Sequence, residues 1–94
     1  IHGGNERPNM ETIRLILDEL DKPESLIRHV EDRPGHDIRY AMDAAKIHAL
    51  GWQPQIEWEA GIRATVRWFA EHQEWMRASV ARGKAYFDEW YSKR

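Results

Sequence analysis

Residues 32–43 read Asp32-Arg33-Pro34-Gly35-His36-Asp37-Ile38-Arg39-Tyr40-Ala41-Met42-Asp43. Pro34 fixes φ at about −65° and Gly35 permits positive φ, so this dipeptide predicts a tight bend in the backbone. The bend presents Arg33 and His36 together, and an arginine fork beside a histidine suits a phosphate or a diphosphate. The same stretch also fits a polar loop whose charges satisfy one another. Spacing alone leaves both interpretations open.

The sequence before the bend predicts a helix followed by a strand. Apolar residues recur at helical spacing after Asn9, at Met10, Ile13, Ile16, Leu17 and Leu20. Asparagine is a favoured N-cap, so Asn9 is expected to cap this helix, and Pro23 is expected to end it. Residues 26–31 are short, rich in branched apolar side chains and bounded by Pro23 and Pro34. They predict a strand that enters the charged loop.

The sequence after the bend predicts a second strand and further helices. Residues 38–42 are expected to be extended, and Asp43 to cap a short helix at 44–50 that Gly51 ends. A stronger helix is predicted from Trp58 to about residue 72, with one apolar face formed by Ile62, Thr65, Val66 and Phe69. The aromatic-rich tail predicts one or two helices divided near Gly83. The expected fold class is α+β, mainly helical with two short strands.

Composition limits the classes of function. The chain has 94 residues and a net charge of −2, which predicts one small domain and no field that attracts nucleic acid or anionic lipid. It has no cysteine, which excludes disulfides and thiolate sites, and its five histidines show no paired metal-ligand spacing. No apolar run reaches the length of a membrane span. We expect a cytoplasmic protein without a metal.

The run DRPGHDIRYAMDAAKIHALGWQPQ resembles the C-terminal part of the dTDP-glucose 4,6-dehydratases, which are extended short-chain dehydrogenase/reductase enzymes. The resemblance also covers Gly3-Gly4-Asn5-Glu6 and the GI-x-x-TV-x-W pattern that begins at Gly61. Further matches to the family pattern are Asn9 and, in the tail, Trp75, Gly83, Tyr86 and Tyr91. It implies that residues 1–94 form a single C-terminal substrate-binding lobe, a fragment of a longer enzyme without its Rossmann domain.

The resemblance also implies a ligand and a set of site residues. Arg33 and His36 would contact the diphosphate of dTDP-glucose, and Asn9 would complete that side of the pocket, unless Asn9 is only a helix cap. NAD would be the cofactor of the longer enzyme, bound outside this chain. The sequence contains no G-x-G-x-x-G turn and no Tyr-x-x-x-Lys pair, so we expect the chain alone to be inactive.

Two alternatives stay open at this point. The chain could be the lobe of a related nucleotide-sugar epimerase or decarboxylase, which share the general arginine loop, although His36 favours the dehydratases. It could also be a stand-alone helical interaction module. In either case a chain of this length can hardly bury all of its apolar faces. We therefore expect self-association through the surface that would face the missing Rossmann domain.

Overall fold

The computed structural model describes residues 2–90, except for the side chains of Ala85 and Trp90. Four α-helices follow one another along the chain: α1 at Asn9–Glu19, α2 at Ala45–Ala49, α3 at Trp58–Glu71 and α4 at Gln73–Trp90. A short 3₁₀ helix, Glu24–Leu26, follows α1. One long loop connects this 3₁₀ helix to α2, and another connects α2 to α3. No helix within residues 2–90 has the length and apolar character needed to cross a membrane.

Both predicted strands are wrong, since residues 2–90 contain no strand. Residues 26–31 begin inside the 3₁₀ helix and continue as irregular chain, and residues 38–42 belong to the loop. A strand needs a neighbour whose backbone N–H and C=O groups pair with its own. Neither segment has one here, and the side chains of Val30, Ile38 and Tyr40 are exposed rather than packed against a second layer. Residues 2–90 are therefore helical with loops, not α+β.

The predicted cap of α1 is also wrong. Asn9 is the first helical residue, and the N-cap position belongs to Pro8, which makes no side-chain cap hydrogen bond. The carbonyl of Pro8 accepts the N–H of Glu11 at 3.0 Å. Proline already has a φ suited to this position, −59° here. The helix therefore starts without a capping side chain, and the side chain of Asn9 stays available for other contacts.

The predicted stop of α2 at Gly51 is confirmed, but Asp43 is not its N-cap, because that position belongs to Ala44, which makes no side-chain cap hydrogen bond. The carboxylate of Asp43 accepts the N–H of Ala45 at 2.8 Å, and Gly51 adopts a φ of 87° just after the helix. Such a positive φ favours glycine, which explains why the helix stops there. The helix is shorter than the predicted 44–50.

The prediction for α3 is confirmed, but the predicted break near Gly83 is wrong. Gly83 lies inside the single 18-residue helix α4. A glycine in a helix interior costs only about 1 kcal/mol relative to alanine, which the other residues of so long a helix can offset. Tyr91, part of the predicted tail, lies outside the described residues.

Helix α1 packs on α3 through the apolar faces that the sequence predicts. With the start of α4, they form an open apolar groove of about 400 Å³. The groove is lined by Ile16, Leu20, Ile62, Thr65, Val66, Phe69, Ala70, Gln73 and Met76. We call this surface the α1/α3/α4 groove.

Much of the apolar surface of the chain is uncovered. Ala44 is the one buried residue among those whose burial is described. The solvent-accessible surface is 8687 Å², whereas a compact monomer of 11.2 kDa exposes about 5,700 Å². The radius of gyration is 16.7 Å, against about 12 Å for a compact domain of 94 residues. The chain thus exposes about 3,000 Å² more surface than a compact fold of this mass would.

Candidate functional site

A polar cleft of about 820 Å³ lies between the segment before α1 and the loop after the Pro34-Gly35 bend. Both Asn9 and His36 line it, so the fold brings together two of the three predicted site residues. Arg33 is not among the lining residues. The cleft is bounded by Asn5, Glu6, Arg7, Pro8, Asn9 and Met10 on one side and by His36, Asp37, Ile38, Arg39 and Tyr40 on the other.

The bend that carries His36 is confirmed. Gly35 has a φ of 68°, and the N–H of His36 donates to the carbonyl of Arg33 at 3.2 Å. Nδ1 of His36 hydrogen-bonds Oδ1 of Asp32, which also accepts the backbone N–H of Arg33 at 2.9 Å. The hydrogen bond from His36 holds the pKa of the Asp32 carboxyl below its ordinary value. Asp32 therefore stays anionic and orients the imidazole, whose Nε2 has no partner within residues 2–90.

Most charges around the cleft are already paired. Nη2 of Arg39 donates to Oε2 of Glu6 at 2.8 Å, and Nε of the same arginine binds Oε1. The hydroxyl of Tyr40 donates to Asp37 at 2.9 Å. Arg39 and Asp37 thus make the structural pairs that the sequence suggests for them. Because these groups satisfy one another, they are less available to a ligand than an unpaired cation.

Arg33 differs from the other arginines of this region. Its side chain is exposed, and within residues 2–90 its guanidinium makes no hydrogen bond or ion pair. A guanidinium presents several N–H donors in a fixed fork that matches phosphate oxygens. Arg33 does not line the cleft, but it can take an anion without giving up a partner within residues 2–90.

The opposite wall of the cleft contains residues that the sequence reasoning missed. The sequence predicts no site role for Asn5, Glu6 or Arg7, yet all three line the cleft. Arg7 binds Glu11 at 2.7 Å, and its guanidinium lies 4.5 Å from the ring centre of Trp58. The signal available in the sequence was three consecutive polar residues directly before a helix, where backbone N–H groups are free.

The site lacks the groups for metal or dinucleotide chemistry. Within the described residues, no cluster of three or more His, Asp or Glu side chains could hold a metal ion. Residues 2–90 also offer no glycine-rich turn between a strand and a helix, which is the usual cradle of a dinucleotide. Within residues 2–90 the arrangement offers hydrogen-bonding groups that suit an anionic ligand.

Comparisons with known proteins connect this helical fold and cleft to enzymes acting on nucleotide-sugars. No protein-family model matches the chain. It is 51% identical over 87 residues to dTDP-glucose 4,6-dehydratase of Escherichia coli, covering 80% of this chain and 24% of that enzyme. The same enzyme of Haemophilus influenzae is 51% identical over 80 residues, with 71% and 24% covered.

A solved structure agrees with these relatives. The crystal structure of dTDP-glucose 4,6-dehydratase from Bacillus anthracis in complex with NAD matches with a TM-score of 0.73 and 38% identity. The match covers 80% of this chain and 24% of the solved one. The chain is therefore a homologue of the dTDP-glucose 4,6-dehydratases, as its RPGHD loop predicted. It spans about a quarter of the length of the relatives it matches.

Proposed function

We propose that the chain is the nucleotide-sugar-binding portion of an NAD-dependent dTDP-glucose 4,6-dehydratase of deoxysugar biosynthesis. The observation that carries this proposal is the shared cleft of Asn9 and His36, which lie on different segments of a chain homologous to such enzymes. Only tertiary structure can bring these two residues together. In this proposal the chain binds a nucleotide-sugar in the cytoplasm, and it binds neither nucleic acid nor a membrane.

The diphosphate of dTDP-glucose is the group that this cleft suits. Helix α1 begins at Asn9, and the first N–H groups of a helix attract anions. His36 would present Nε2 from the other wall and, because its Nδ1–H is donated to Asp32, would donate from Nε2 as the imidazolium. Arg33, exposed, without a partner in residues 2–90 and three residues before His36, would supply the positive charge. These donors approach from separate directions, as a diphosphate with several oxygens requires.

The redox chemistry belongs to the rest of the longer enzyme. The dehydratase of Bacillus anthracis was crystallised with NAD, and the sequence of this chain has no G-x-G-x-x-G motif for a dinucleotide. The Tyr-x-x-x-Lys pair is also absent from the sequence. In this proposal the chain binds and orients the substrate, while NAD and the catalytic pair lie outside it.

A second proposal follows from the α1/α3/α4 groove. The groove is apolar and open, and the chain exposes far more surface than a compact monomer of its mass. In the longer enzyme this surface would face the nucleotide-binding domain. The isolated chain is proposed to self-associate through it.

A chimera tests the substrate proposal. The matching segment of the Escherichia coli enzyme is replaced by this chain, and turnover of dTDP-glucose is compared with that of UDP-glucose. We expect turnover of dTDP-glucose, and loss of its binding when Arg33→Ala and His36→Ala are combined. A control chimera with Arg28→Ala, an exposed arginine outside the Pro34-Gly35 bend, should keep the affinity.

The outcome that contradicts the proposal is equally specific. A chimera that folds and binds NAD but has no affinity for dTDP-glucose would show that the cleft is not the nucleotide-sugar site. Equal affinity of the double variant and the parent chimera would show that Arg33 and His36 have no part in binding.

A further inference from the structure

The loop that carries His36 has a single polar connection to the rest of the described chain. Hydrogen bonds inside the loop join Asp32 to His36 and Asp37 to Tyr40. From residues 28–42 to the remainder of residues 2–90, the connection is the pair of Arg39 with Glu6. With no strand ladder in this region, the position of the loop depends on this contact more than on any other polar one.

The geometry of the pair suits a positioning role. The guanidinium and the carboxylate face each other through two N–H···O bonds, from Nε to Oε1 and from Nη2 to Oε2. Such a fork fixes the relative orientation of the two groups, which a single hydrogen bond does not. The same pair lowers the pKa of Glu6 and raises that of Arg39, so both groups keep their charge.

Glu6 is itself connected to the helices through its neighbour. Arg7 lies over the ring of Trp58, the first residue of α3, and binds Glu11 in α1. The segment that carries Glu6 is thus held by two helices, and Arg39 joins the loop to that segment.

We propose that Glu6 and Arg39 are positioning residues of the nucleotide-sugar site, whose fork holds residues 28–42 so that His36 faces the start of α1. This inference rests on the proposed function of the cleft. The side chains of Arg39 and Glu6 are 70% and 44% exposed, and ion pairs this exposed add little to folding stability. The fork therefore sets the position of the loop and leaves the stability of the helices largely unchanged.

Distance measurements between spin labels test the inference in the whole chain. The chain has no native cysteine, so labels can be attached at Lys22→Cys, just after α1, and at Val30→Cys, an exposed loop residue that does not line the cleft. Dilution with unlabelled chain removes distances between copies. We expect one narrow distance distribution in the parent, and a distribution at least about twice as broad after Glu6→Gln or Arg39→Lys, because lysine cannot form the fork.

Three further measurements make the test specific. The swapped variant, Glu6→Arg with Arg39→Glu, should narrow the distribution again. Lys84→Gln, which removes an exposed ion pair of α4, should leave it as in the parent. The dissociation constant for dTDP should rise about 3- to 10-fold in Glu6→Gln, with a thermal unfolding midpoint within about 2 °C of the parent.

The distances and the dTDP affinity separate the two proposals. An unchanged distance distribution in both Glu6→Gln and Arg39→Lys would overturn the positioning role, whatever the ligand does. Absence of any dTDP binding by the labelled parent chain, with a broadened distribution in the variants, would keep the positioning of the loop and remove the nucleotide-sugar function.

Discussion

Nη1 of Arg63 donates to Oε2 of Glu19 at 2.9 Å, which joins the middle of α3 to the last residue of α1. The two side chains are only 27% and 14% exposed, respectively. Arg63 also lies 2.7 Å from Asp18 and 3.1 Å from Glu59. These carboxylates raise the pKa of Arg63, with Glu19 making the largest contribution. Arg63 thus forms ion pairs with three acidic side chains where α1 packs on α3.

Arg63→Ala should therefore destabilise the packing of α1 on α3. The change leaves the largely covered carboxylate of Glu19 with its longer contact to Arg67, at 3.4 Å. We expect the thermal unfolding midpoint, followed by circular dichroism, to fall by about 4–8 °C. Arg67→Ala is the matched control, because Arg67 lies on the same helix but is 61% exposed, and its shift should stay within about 2 °C. Equal shifts in the two variants would contradict the central role of Arg63.

The apolar packing of α1 on α3 could be predicted from the sequence, whereas the ion pairs between the two helices could not. Helical periodicity placed Ile16 and Leu20 on one face of α1, and Ile62 and Val66 on one face of α3, and these faces do pack together. Arg63 was placed only outside the apolar stripe. Its bond to Glu19 spans 44 positions, and nothing in local spacing indicates such a partner.

The two strand predictions were wrong for a related reason. Residues 26–31 and 38–42 have the composition of strands, but composition cannot supply a neighbouring strand, and without one the segments remain loops. The Pro34-Gly35 bend was predictable because both residues act on their own φ angles. The joining of Asn9 and His36 in one cleft depends on the pair of Glu6 with Arg39, which again no local pattern reveals.

Arg33→Ala should weaken binding of dTDP more than Arg39→Ala does. Arg33 has no partner within residues 2–90, so its donors are available to a phosphate, whereas those of Arg39 are used by Glu6. We expect an increase in the dissociation constant of about 10- to 100-fold for Arg33→Ala and of about 3- to 10-fold for Arg39→Ala, which removes the fork with Glu6, measured by calorimetric titration. Comparable losses would contradict the assignment of Arg33 as the direct ligand.

His36→Ala should raise the pKa of Asp32. The hydrogen bond from His36 is the main cause that lowers this pKa from its ordinary value of 3.8, and the backbone N–H of Arg33 adds to it. The variant should therefore move the Asp32 titration, followed by carboxyl carbon NMR, upward towards 3.8 without reaching it. His29→Ala, which removes a histidine that does not contact Asp32, should leave the curve in place.

The lowered pKa of Asp32 also determines how its contribution to folding stability changes with pH. Because the pKa of Asp32 is lower in the folded chain than in the unfolded chain, its contribution is complete above about pH 4. It is lost as the pH falls through the folded pKa. The bend should thus lose its order in acid before the parent helices unfold, visible in the amide signal of Gly35. An Asp32 titration unaffected by His36→Ala would contradict this account.

The last prediction concerns self-association through the α1/α3/α4 groove. Met76 lines the groove from α4, and a glutamate there would place a charge in an apolar contact at a cost of several kcal/mol in the associated state. A standard interface covers about 800 Å² on each partner, well within the open surface of this chain. We therefore expect sedimentation to report dimers or larger species of the parent at micromolar concentration, and a dissociation constant at least about tenfold higher for Met76→Glu.

Val80→Glu is the control for this experiment. Val80 lies one turn further along α4, is exposed, and does not line the groove, so the same charge should leave association unchanged. Circular dichroism should show that both variants keep the helices of the parent. A parent chain that sediments as a monomer and binds no hydrophobic dye would contradict self-association. Equal dissociation by Val80→Glu and Met76→Glu would contradict a contact confined to the groove, because only Met76 lines it.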